Sequence, residues 1–134
     1  MIKRTLGCVA LCGWLMASGS LQAHHSLAGV YDMKHKDAEV SGTLVKIQFV
    51  NPHGSMHLAV KNPDGSTTEW AITGGSVQAL ARLGIGKTGP NALHPGDEIT
   101  VTCVPAADGK SPIGLLVAIT YPDGHTVRFR SPDE

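Results

Sequence analysis

The sequence predicts a mainly β fold: a small closed or partly open barrel of five to six strands, with one short helix and an extended N-terminal arm. Three observations carry this. Apolar and polar residues alternate in one segment after another, which is the period of a strand with one buried face. Two tetrapeptides of turn chemistry, NPDG at 62–65 and YPDG at 121–124, separate such segments. One stretch, SVQALARLG at 76–84, spaces its apolar residues like the face of a helix.

Taken in order, residues 24–37, HHSLAGVYDMKHKD, keep no stable period and read as an arm lying along the barrel. The first strand contains LVKIQFV, with Val45, Ile47 and Phe49 expected on one face, and the second contains MHLAVK, with Met56, Leu58 and Val60 together. NPDG then closes a hairpin: proline presets φ, the aspartate bonds its own backbone, and glycine accepts positive φ. TTEWAIT follows as the third strand, in which alternation with Thr68 and Ile72 makes Trp70 a core residue rather than a stacking platform. Ser76 is the N-cap of a two-turn helix whose Val77, Leu80 and Leu83 share a face, with Gly84 just past its end. ITVTCV places Ile99, Val101 and Cys103 inward, IGLLVAITY supplies a further strand, and HTVRFR returns from YPDG with Val127 and Phe129 on one face. Three strands, a short helix and further strands, joined by tight turns, fit an OB-like barrel better than a sandwich. The barrel domain is expected over residues 38–134.

Ahead of the arm, Lys3 and Arg4 precede the uncharged apolar run TLGCVALCGWLM at 5–16, which reads as a secretory signal peptide over residues 1–23. Its 12 residues fall short of the roughly 20 that span a bilayer, so no permanent membrane anchor is expected. Cleavage after Ala23 follows LQA, and a competing cut after Ser20 follows SGS. Thr5 in TLGC occupies the place where a lipid-attachment box wants an aliphatic residue, which favours a soluble periplasmic or secreted protein. Residues 24–134 suffice for one domain. Loss of Lys3 and Arg4 leaves nine basic residues against eleven acidic, a net charge of −2, which is no footprint for nucleic acid. Cys8 and Cys12 depart with the leader, so Cys103 is the single mature thiol and has no internal disulfide partner.

AHHS at the export boundary, a YD a few residues on, NPH after the first strand, EW in the third, RLG ending the helix, and HPGDEITVT followed by DG together resemble a family of small exported bacterial proteins catalogued as a domain of unknown function, number 6152. The resemblance covers essentially all of the mature chain, with a departure at Leu27, where the family commonly has an aromatic residue after HHS. It implies secretion and a compact β-barrel, and it leaves activity open.

Motifs of catalysis fail on inspection. GIGKTG lacks the glycine of a phosphate loop, since Ala81 stands in its place. TGGSVQ has Gln78 where a nucleophile elbow needs its second glycine. Asp97 and Glu98 are adjacent, so strand alternation sends them to opposite faces, and HGSMH lacks the glutamate of a zinc protease helix. No enzyme is expected.

Histidine remains, seven in the chain. If the leader is cut after Ala23, the amine and ring of His24 can chelate one metal together. A third nitrogen from His53, projected by NPH, would complete an all-nitrogen set suited to copper(II), with His57 or His25 nearby. His35, His94 and His125 read as surface residues. Three functions follow in order: a non-enzymatic exported binding module for a protein, glycan or small molecule, a copper-binding protein whose arm supplies ligands, and last an enzyme, for which redox chemistry at a copper site is the one route to activity.

Overall fold

The computed structural model describes residues 27–129. Along the chain its elements are β1 (Ala38–Gln48), β2 (Ser55–Lys61), β3 (Thr67–Thr73), α1 (Val77–Arg82), β4 (Ile85–Gly86), β5 (Asn91–Ala92), β6 (Glu98–Pro105), β7 (Ile113–Thr120) and β8 (Thr126–Arg128). β1 is the spine, antiparallel to β2 along one edge and to β6 along the other. β3 pairs with β2, and β7 with β6, again antiparallel. The outer strands then meet: Ala71–Thr73 run parallel to Ile113–Leu115 and close a five-stranded barrel. A parallel pair needs a long connection, and here the chain between β3 and β7 runs through α1, β4, β5 and β6. Three strands, a helix, two strands, and closure of the third on the last is the OB arrangement. β8 takes the rest of β7's edge, Ala118↔Arg128 to Thr120↔Thr126, beyond the point where β3 has ended.

Leu44, Leu58, Ile72, Val101, Cys103, Leu116 and Ile119 are completely buried inside the barrel, with Trp70, Val127 and Phe129 half-buried against them. Each such leucine or isoleucine contributes roughly 1.5–3 kcal/mol on burial. α1 plugs one end. Ser76 Oγ accepts from the Ala79 N–H at 3.2 Å as the N-cap, and Leu80 lies against Gly54, where an added Cβ would stand 2.5 Å from Leu80 Cδ1.

Two local outcomes differ from the sequence reading. Val45 is 43% exposed, because Leu44 pairs with Leu58 while Lys46 pairs with His57. Val45 is thus the extra residue of a β-bulge, and the bulge resets the alternation so that Leu44 points inward before it and Ile47 and Phe49 pack against the core after it. In the arm, residues 27–30 form one helical turn rather than an extended run. Tyr31 then bridges to Ala106 and packs outside the barrel against Val104 and Val117. That second small core explains the unbroken apolar run of β7, which is buried on both faces.

Candidate functional site

The outward side of β2 and β3 is set by pairing. His57 stands beside Lys46 of β1 and Ala71 of β3, Ser55 beside Gln48 and Thr73, and Ala59 beside Thr43 and Glu69. Because side chains on a strand alternate, Met56, Leu58 and Ile72 fill the barrel while these residues face out. His57 Nδ1 lies 2.7 Å from Glu69 Oε1, on a diagonal between the two strands. The neighbouring Ala59 and Ala71 are small, so the ring stands between low surroundings with its side chain 24% exposed. A carboxylate on Nδ1 fixes the ring orientation and leaves Nε2 as the outward lone pair, the arrangement that prepares imidazole to accept a hydrogen bond or bind a metal.

Three segments border this face. The NPH turn carries a cis Asn51–Pro52 peptide and an exposed His53, and it is tied to the start of the crossover by Gly54 N–H donating to the Gly75 carbonyl. Loop 106–112 abuts β3, whose Ala71 N–H donates to the Pro112 carbonyl. In that loop Asp108 accepts from the Ser111 hydroxyl and from the N–H groups of Ser111 and Lys110, and these bonds hold its carboxyl down at about 2. The third border is the arm, where the Tyr31 hydroxyl donates to Thr73 Oγ1 at 3.3 Å. Continuous with the face, a shallow groove crosses β1 over a floor of Gly42 and Ala59, with Lys61, Thr67 and Glu98 at its rim.

Chemically the face is polar and nearly balanced in charge. Among the described residues it has no aromatic platform, since Trp70, the aromatic of β3, packs against the core as its alternation predicts. Ser55 shares the face, yet among the described residues no hydrogen bond joins it to His57, so no nucleophile and base are assembled. Of the metal candidates, His57 and His53 are on the face and at its border, while His24 and His25 lie outside the described residues. No three His, Cys, Asp or Glu side chains converge on a cation position among the described residues. Glu69, the partner that orients His57, carries no sequence signal: it is 12 positions away, and only the hairpin register brings it near.

The remaining histidines are exposed, as expected, and each is held by an acid. His35 Nδ1 lies 2.6 Å from Asp32 Oδ2, His125 Nδ1 is 2.5 Å from Asp123 Oδ1, and the backbone N–H of His94 donates to Asp97 Oδ2. Cys103 is buried, and burial, helped by the charge of Asp37, pushes its thiol up to about 11. No helix among the described residues is long and apolar enough to cross a membrane.

No curated protein and no solved structure matches the chain. A family model does match, over residues 13–115, from within the apolar run at 5–16 through the barrel closure to the first residues of β7. With most of the barrel inside that match, the chain belongs to the family of unknown function DUF6152.

Proposed function

We propose that this protein is an exported, non-enzymatic binding module that holds a polar ligand across the outer face of β2 and β3. The observation that carries the reading is the His57–Glu69 pair: a ring fixed by a carboxylate, standing over alanines on the strands that OB barrels use for recognition. Among the described residues the face has no aromatic platform, and residues 24–134 carry a net charge of −2, both of which argue against single-stranded nucleic acid as the ligand. Native mass spectrometry of residues 24–134 against a neutral tetrasaccharide and a short peptide tests it. One of these should form an adduct that weakens about tenfold in His57→Ala and in Glu69→Gln, the loss expected for one oriented hydrogen bond. Equal adducts in wild type and both variants contradict the reading.

A second reading is copper(II) binding by His24 with His53, His57 or His25, and one observation favours it. The Tyr31–Thr73 contact brings the arm to this face, seven residues after His24. Copper(II) titration of protein beginning at His24 should show one strong site, weakened greatly by one added residue before His24 and by His53→Ala. Unchanged affinity in the extended form removes the copper reading and leaves the binding face alone.

A further inference from the structure

At the end of the barrel where α1 terminates, one imidazole faces two acceptors, one more than a neutral ring can donate to. His125 Nε2 lies 3.0 Å from Asn91 Oδ1, and His125 Nδ1 lies 2.5 Å from Asp123 Oδ1. The orientation of the Asn91 amide is not free: its Nδ2–H donates to the Leu83 carbonyl at 2.6 Å, so the oxygen is the atom turned to the ring. Asp123 is equally committed. The backbone N–H of His125, and then its ring, hold that carboxyl below the usual range, so it is an ionised acceptor. Both ring nitrogens therefore face acceptors, and both must donate. Only the imidazolium does so.

We infer that His125 is a protonation-dependent clasp, joining the β7–β8 turn to β5 and through Asn91 to the C-terminus of α1. The Tyr121 ring stacks on the imidazolium with centroids 4.3 Å apart and planes within 6°, an arrangement that favours a cation over the π-face. Tyr121 also donates its hydroxyl to the Asn91 carbonyl at 2.8 Å. Burial, and then the charge of Asp97, push that hydroxyl up to about 12, so it stays a donor throughout the range in which imidazole titrates. The titratable groups facing the ring and its stacking partner are thus Asp123 on the turn, Tyr121 beside it, and Asp97 ahead of β6; Asn91 faces it from β5 as a neutral acceptor.

Loss of the proton breaks the chain at a defined point. The neutral ring keeps its charge-assisted Nδ1–H bond to Asp123, and the Nε2 lone pair then confronts the Asn91 oxygen. Asn91 must swing away or flip its amide, and a flip surrenders the bond to Leu83. Either movement frees the carbonyl that closes α1 and uncouples the β7–β8 turn from the crossover. Of the three Asp-Gly turns, at 64–65, 108–109 and 123–124, this is the one whose third residue is a histidine. The others have Ser66 and Lys110.

Ring-nitrogen NMR of labelled protein over pH 5 to 9, followed together with the Asn91 side-chain amide, tests the clasp. Below the His125 midpoint both ring nitrogens should carry protons. At that same midpoint the Asn91 Nδ2 protons should begin to exchange roughly twofold to tenfold faster, the factor that a net hydrogen bond corresponds to. In His125→Gln the Asn91 signals should lose their pH response, while in Asn91→Ala the ring should still titrate but the amides of residues 83–85 should no longer follow it. A His125 ring with one proton while the Asn91 amide remains protected, or Asn91 signals unmoved through the titration, overturns the proposal.

Discussion

At the scale of single residues, aspartates recur as backbone organisers. Asp64, Asp108 and Asp123 each accept from the N–H two positions on, and each is followed by a glycine at positive φ. The chemistry was legible in NPDG and YPDG because it is local: the aspartate bonds its own turn. The His57–Glu69 bond was not legible, because it depends on register between two strands. These carboxyls are fully exposed and depressed, so their stabilisation is present above the unfolded carboxylate pKa of roughly 3.9 and is lost as pH falls through the folded value, about 2 for Asp108. Asp108→Asn should therefore flatten the fall in urea midpoint between pH 5 and pH 2; a fall as steep as in wild type contradicts this. Cys103, with its thiol near 11 instead of the ordinary 9, carries about a hundredfold less thiolate at pH 8, besides being buried. Thiol labelling of native protein should be at least about a hundredfold slower than in denaturant, and comparable rates would show that the strand does not hold it inward.

Among the elements, the helix was read correctly with its cap and its terminator, since Ser76, the apolar spacing and Gly84 are all local signals. The β1 bulge escaped because Leu44 and Val45 are both apolar, and alternation fits either phase until pairing decides it. Closure of the barrel was expected, but the register of the parallel pair that closes it, Ala71–Thr73 on Ile113–Leu115, was not legible because it joins segments some forty residues apart. The seat of β8 is equally long-range. An added Cβ on Gly75 would lie 2.0 Å from Phe129 Cζ, so the β3–α1 connection leaves room for that ring. Gly75→Ala should cost about 1–3 kcal/mol in urea unfolding, as overpacking does. The cost should shrink in a Phe129→Ala background, because the two sites share one contact. Equal costs in both backgrounds would place the strain elsewhere.

Over the described residues, a five-stranded barrel closed by β3 and β7 turns one face of each strand of the ring onto the inner core, while a second small core of Tyr31, Val104 and Val117 covers part of the outside. The fold class was legible in periodicity, turns and element order, all of which are local features of the sequence. The face itself needed the register, which gathers Lys46, His57 and Ala71 into one row from three separate stretches of sequence. The proposed function places the ligand on this face. Backbone amide NMR of residues 24–134, titrated with whichever of the tetrasaccharide or peptide forms the adduct, measures it most directly. Shifts should concentrate at Ser55, His57, Ala59, Glu69, Ala71 and Thr73 and be abolished in His57→Ala. Shifts that gather on β6 and β8 and leave these six residues unmoved would contradict it.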